Sequence, residues 1–196
     1  MLSVRPISPS EHLAFLEEQR SASFLQTPAW GQVKSEWRRE SLGWFSTTGG
    51  DEKLVGAGLV LYRQLPKLKR YLAYLPEGPV IDWAGADLAA WLDPMAAHLK
   101  KEGAFGIRMG PPVVTRRWTA AMVKEGIADD GVRRLADLAP SERDPVGARV
   151  TAQLRDLGWR QQVTEGGFAA GQPQYVFQIP LAGRTEDDVL KGMNQL

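Results

Sequence analysis

The chain contains no cysteine in its 196 residues. Disulfides, thiolate nucleophiles and sulfur-ligated metal sites are therefore excluded. Histidine is scarce too: His12 and His98 lie far apart on separate helical segments, so no zinc site is expected. Neither sign of charge is in excess. The net charge of +1 provides no global field for nucleic acid or membrane, and an anionic partner must be met by a local patch. No apolar run approaches the ~18 residues of a bilayer span. The first residues show no basic segment leading into an apolar core, so no secretory leader is expected and a cytoplasmic location is. Repeats and low-complexity tracts are absent.

What is present is an ordinary globular balance, 43% hydrophobic and 24% charged, which can build one good-sized core or two small ones. Seven tryptophans are many for this length: Trp30, Trp37, Trp44, Trp83, Trp91, Trp118 and Trp159. Most are expected as packing residues. The most informative stretch is Tyr74-Leu75-Pro76-Glu77-Gly78-Pro79-Val80-Ile81-Asp82-Trp83. The apolar run Tyr71 to Leu75 reads as a buried strand. It stops at Pro76, crosses a Gly78-Pro79 turn and delivers Asp82 ahead of a helix-like segment. A carboxylate held at the mouth of a strand lies where α/β folds place their chemistry. Trp30 and Trp83 flank this candidate site and are expected as walls.

Elsewhere, Leu2 to Ile7 alternates as a strand, and Ser8 or Ser10 caps a helix to about Gln19. Thr27-Pro28 is an N-cap and first helical residue for a segment in which Trp30, Val33 and Trp37 share one face. Ser41 to Thr47 and Lys53 to Gln64 are strands joined by the hairpin signal Thr48-Gly49-Gly50-Asp51. Ala84 to Lys101 is helical, with Asp93-Pro94 marking a kink or a second start. Phe105 to Met109 is a strand, Thr115 to Lys124 and Pro145 to Leu157 are helices, and Gly158-Trp159 opens a strand to about Thr164. Tyr175 to Leu181 is a further strand, and Thr185 with Asp188 forms a capping box for a last helix. Its apolar stripe, Val189, Leu190, Met193 and Leu196, is still running where the sequence stops. It is expected to lack a full partner within the chain.

This order is α/β with a mixed sheet, and it is similar to the acetyltransferase (GNAT-like, acyl-CoA N-acyltransferase-like) fold. A coenzyme A enzyme of that fold needs a glycine-rich loop whose backbone amides bind the pyrophosphate at a helix N-terminus. The matching place here holds Glu77-Gly78-Pro79-Val80-Ile81-Asp82, where Pro79 has no amide and both carboxylates repel phosphate. Lys34 is either a solvated lysine or a point charge for a phosphate or carboxylate. Arg63, Lys67, Lys69 and Arg70 surround the Pro66 turn. They read as a charged hairpin protecting a sheet edge, or as an anion patch facing RNA or lipid headgroups.

Four segments carry a resemblance as a set: Gln26-Thr27-Pro28-Ala29-Trp30-Gly31-Gln32-Val33-Lys34, Tyr74 to Asp82, Arg108-Met109-Gly110-Pro111-Pro112, and Gln172-Pro173-Gln174-Tyr175-Val176-Phe177-Gln178-Ile179-Pro180-Leu181. In this order they resemble the Fem family, the aminoacyltransferases that build peptidoglycan cross-bridges. Glu77 stands where many members have Arg or Tyr. The resemblance implies transfer of an amino acid from aminoacyl-tRNA to an amine of the precursor stem peptide, with no cofactor. The precursor is lipid-linked or nucleotide-linked, and a peripheral contact with the inner membrane surface is expected. By position, Lys34 would contact the precursor pyrophosphate and Asp82 would bind or help deprotonate the amine. Glu77, Trp30 and Trp83 complete the expected substrate site. Family members are about twice this length, so residues 1–183 are expected as the first GNAT-like domain and 184–196 as the start of an interdomain helix. Two alternatives stay open: a coenzyme A-dependent N-acetyltransferase with a degenerate loop, and a non-catalytic precursor-binding module.

Overall fold

The computed structural model describes residues 2–162 and 173–193. The chain divides into two compact units, Met1–Gln161 and Gln162–Leu196. The first is built on a five-stranded sheet in the order β1-β2-β3-β4-β5. Its strands are β1 (Leu2–Pro6), β2 (Arg38–Thr48), β3 (Asp51–Gln64), β4 (Tyr71–Leu75) and β5 (Ala104–Met109). Neighbours are antiparallel up to β4, whereas β4 and β5 run parallel. A parallel pair needs a crossover, and helix α3 (Ala89–Lys101) supplies it. This is the mixed-sheet α/β architecture expected from the order of elements.

Alternation along the strands decides the layers. Leu42, Trp44, Val60, Tyr62, Ala73 and Leu75 meet Leu92, Met95 and Leu99 of α3 and Val150 of α5 (Pro145–Asp156) in one buried cluster. Each large side chain buried there contributes about 1.5–3 kcal/mol. The other side of the sheet carries α1 (Pro9–Glu17) and, after a 3₁₀ turn (Phe24–Gln26), the short α2 (Pro28–Val33). Ser8 caps α1 with the reciprocal Ser8–Glu11 box. A small ribbon of β6 (Arg116–Arg117) and β7 (Glu142–Arg143) lies outside the sheet, with α4 (Ala120–Ile127) between its strands.

Several expectations are corrected. Helix α3 starts at Ala89 and runs through Pro94. Asp93-Pro94 is therefore not a helix start. The bond lost at proline is tolerated because Leu92, Met95 and Leu99 anchor the helix on both sides of it. The helix expected from Thr115 begins later because Thr119 is the cap: its hydroxyl accepts from the Met122 amide at 3.2 Å. Residues 159–162 form no strand, and the rest of that expected strand lies outside the described residues. Tyr175 to Leu181 forms no strand and joins no ladder among the described residues. Alternating apolar residues make a strand only where a neighbouring strand is available to pair and to bury one face, and no described strand pairs with this segment. In the second unit, Thr185 caps α6 (Glu186–Gly192) with the expected Asp188 box. Of its apolar stripe, Leu190 is 55% and Met193 50% exposed, while Leu196 lies outside the described residues.

His12, on α1, is fully buried against β2, and its Nδ1 lies 2.9 Å from the Ser41 hydroxyl. Its Nε2 has no hydrogen-bond partner among the described residues. Burial away from water depresses its pKa to about 4. An unfolded chain protonates the same ring near 6.5, so its stabilising contribution is complete above that pH and declines as pH falls toward 4. Denaturant melts at pH 7.5 and pH 4 should therefore differ by about 3 kcal/mol from this ring alone. The His12→Gln variant should lose that part of the pH dependence. An unchanged pH profile would show that His12 protonates freely in the folded state.

Candidate functional site

The candidate site is built around an interruption in a ladder. β3 and β4 pair from Leu61–Tyr74 to Gln64–Tyr71, and pairing resumes only at Ala57–Val80. There Ala57 and Val80 exchange backbone bonds of 3.0 and 2.8 Å. Between these points the chain bulges outward as Pro76-Glu77-Gly78-Pro79, with Glu77 at φ +46° and a cis Gly78-Pro79 bond. The bulge strands two buried backbone groups, the Leu59 N–H and the Pro76 carbonyl, which need partners. The Gln26 side chain supplies both. Its Oε1 accepts from Leu59 N at 3.0 Å, and its Nε2 donates to the Pro76 carbonyl. Gln26 is itself fully buried. A Cβ at position 78 would stand 2.3–2.5 Å from the Gln26 amide atoms, so only glycine fits there.

Beyond the bulge, Asp82 is exposed and folds into a turn, its Oδ1 accepting from the Ala84 amide at 3.0 Å. Its Oδ2 makes no hydrogen bond or ion pair among the described residues. Trp83, expected at the cleft wall, is instead a core residue, 9% exposed, and its indole donates to the Pro79 carbonyl at 3.0 Å. It holds the Gly78-Pro79 turn from beneath. Glu77 is half-buried on the bulge.

Lys34 is reached from the same anchor. Two residues after Gln26, Pro28 opens α2, whose cap Thr27 accepts from the Trp30 amide at 3.3 Å. Gly31 lets the helix lie directly on Leu59 and Arg39. Lys34 ends the helix, with its Nζ 5.4 Å from the Trp30 ring. Trp30 in turn meets Phe24 edge-on at 5.5 Å. Just beyond, Trp37 packs against Tyr74 of β4 at 6.3 Å. Lys34 and Asp82 form no ion pair with each other among the described residues.

The FemAB family model matches residues 7–196. This chain belongs to the FemAB family. Curated relatives include the lipid II:glycine glycyltransferases of Staphylococcus aureus. That of strain bovine RF122 / ET3-1 is 26% identical over 155 residues, covering 70% of this chain and 36% of the relative. The chain thus spans about a third of the length of the curated relatives it matches. Among solved structures, FemX is 27% identical, with 57% of this chain and 27% of that chain covered and a TM-score of 0.46. An aminoglycoside acetyltransferase from a soil metagenomic sample is 15% identical, with 93% of this chain and 99% of that chain covered and a TM-score of 0.42.

For this FemAB chain, the geometry argues against a coenzyme A loop between β4 and α3. Pro79 has no amide, the Val80 amide is bonded to Ala57, and the Ala84 amide to Asp82. At the start of α3, Leu88 N is bonded to the Gln153 side chain and Ala90 N to Asp87. A pyrophosphate would find these amides already bonded. Among the described residues no group of acidic or histidine side chains could hold a metal ion, and no helix is long and apolar enough to cross a membrane. A groove of about 630 Å³ lies elsewhere, along β5, and none of the expected site residues lines it. What sequence reasoning missed is Gln26 as the organising residue. Its one signal was its place at the head of the segment ending in Lys34.

Gln26→Ala should destabilise the fold by about 2–5 kcal/mol, because it leaves two buried backbone groups unpaired. Gly78→Ala should also destabilise it, by collision with the same amide. Combined, they should cost less than the sum of the single changes, because the alanine methyl then occupies vacated space. Denaturant melts of the three variants measure this, and strict additivity would show that the two positions do not interact.

Proposed function

We propose that this chain is the precursor-binding part of an aminoacyltransferase that forms peptidoglycan cross-bridges. In the reaction, an amine of the precursor stem peptide attacks the ester carbonyl of an aminoacyl-tRNA. A C–N bond forms, the ester C–O bond breaks, the tRNA hydroxyl leaves with a proton, and the amine gives one up. The ester is already activated, so the protein must position the amine, help remove its proton and stabilise the oxyanion. Asp82 takes the amine role, with Glu77 adding negative charge on the same bulge. Lys34, against Trp30, meets the precursor's pyrophosphate.

The observation that carries this reading is the shared anchor. Gln26 ties both the Glu77–Asp82 bulge and the segment leading to Lys34 onto β3, within a chain of the FemAB family. The name of the relatives, lipid II:glycine glycyltransferase, supports a peptidoglycan precursor as acceptor. Because the match covers 36% of those relatives, the aminoacyl end is assigned to sequence beyond it, in a second GNAT-like domain reached through an interdomain helix that starts near residue 184.

Residues 1–196 alone should bind the precursor and not turn it over. Lys34→Ala should weaken that binding about tenfold at low salt, and the deficit should fade toward 1 M salt, where the screening length is about 3 Å. In a protein spanning the relatives' full length, Asp82→Asn should lower kcat about 10²-fold while changing precursor affinity far less. Calorimetry across a salt series and steady-state kinetics measure the two effects. Unchanged affinity in Lys34→Ala, or an Asp82→Asn defect confined to binding, would remove these roles.

A further inference from the structure

Cations gather at the end of the sheet opposite the Glu77–Asp82 bulge. The β3–β4 hairpin carries Lys67, Lys69 and Arg70, all exposed. The backbone of Lys69 passes beside Gly103, and Tyr71 N donates to the Gly103 carbonyl at 3.1 Å. This contact brings the hairpin against the last turn of α3, where Lys100 and Lys101 are exposed as well. Arg70 and Lys100 share the groove along β5 with Arg160 and the half-exposed Phe105. None of these cations is in an ion pair among the described residues. The neighbouring acid Glu102 is bound to Arg38 at 2.7 Å. Offsetting the negative end of α3 is worth about 1 kcal/mol at most and explains Lys100 and Lys101 alone.

The hairpin tip adds an apolar feature. Leu68 is 57% exposed between two lysines. It is held outward by a braced turn, with Lys67 at φ +65°, Leu65 N bonded to the Arg70 carbonyl at 2.9 Å, and the Gln64 amide bonded to the Leu68 carbonyl at 3.1 Å. We infer that this basic rim, with Leu68 at its tip, docks onto an anionic lipid bilayer. The cations meet headgroups at about 1 kcal/mol each, while Leu68 reaches the acyl boundary, as apolar side chains of interfacial segments do. An RNA backbone also attracts such cations, but it has no use for a projecting leucine. β4 rises about 17 Å between the rim and the bulge, so a docked protein would hold the candidate site a short distance above the membrane. The inference rests on the membrane contact that the family resemblance implies and names the face that makes it, and its test reads binding alone, so its failure leaves the transfer reaction untouched.

The test is cosedimentation of the chain with vesicles of phosphatidylcholine, with and without phosphatidylglycerol, at low salt. The chain should partition onto the anionic vesicles only. Lys67→Glu with Lys69→Glu should lower partitioning roughly 30-fold or more, and Leu68→Ser about tenfold. A charge-matched control, Lys53→Glu with Lys124→Glu, should retain most of it. Thermal melts of these exposed-site variants should match the parent. Equal retention on neutral vesicles, equal losses in the control, or full binding by Leu68→Ser would overturn the inference. So would a short RNA hairpin that displaces the chain from vesicles and binds through the same lysines and not Leu68, which would identify RNA as the partner.

Discussion

The first unit depends on one side-chain amide satisfying a break in its own sheet. Where β3 and β4 part, two buried backbone groups lose their ladder partners, and an unpaired buried group costs about 1–3 kcal/mol. Gln26 answers both from a different layer of the fold. The bulge is thereby held open without unravelling the sheet, and Gly78 is required because the amide fills the space a side chain would take. A glutamine suits this position because one planar group presents a donor and an acceptor together. The carboxylates of Glu77 and Asp82 project from a loop whose backbone is tied at both ends, to Gln26 and to Ala57.

The two ends of the sheet are chemically unlike. One carries an acidic bulge closed over a buried tryptophan. The other carries cations with no ion pair among the described residues, around a braced hairpin. Between them lies an apolar core that makes the strands a rigid spacer. That polarity within a single layer explains how a chain of net charge +1 can present two distinct local fields. The polar contacts at the basic end are structural as well: Arg38 stacks on Tyr62 at 3.7 Å and bonds Glu102. The Tyr62 hydroxyl donates to Glu40, and burial raises its pKa well above the usual tyrosine range. These contacts fasten the end of α3 to the sheet beside the exposed lysines.

Local signals were legible wherever a residue acts on its own backbone. The hairpin at Gly49-Gly50, the Thr27 and Ser8 caps, the Thr185–Asp188 box and the strand up to Leu75 all follow from short-range chemistry that needs no distant partner. Signals failed where the partner is remote. Of the kink or second start read from Asp93-Pro94, the second start does not occur, because α3 packs on the sheet on both sides of the proline and continues through it. Tyr175 to Leu181 has the alternation of a strand, but alternation describes a face and not the neighbour that must pair with it.

By itself the sequence determined the α/β order, the turn at Gly78-Pro79, the absence of thiol chemistry and the family resemblance, because composition, spacing and caps are properties of the chain alone. Tertiary structure decided what those residues do for one another. It buried Trp83 beneath the turn instead of at a cleft wall and placed a groove along β5, away from Lys34 and Asp82. It also turned Gln26 from one polar residue in a motif into the bond that holds the site. The reason is that a side chain's role here is set by which backbone groups folding leaves without partners. That depends on contacts between positions 33 and 50 residues apart, which no local pattern records.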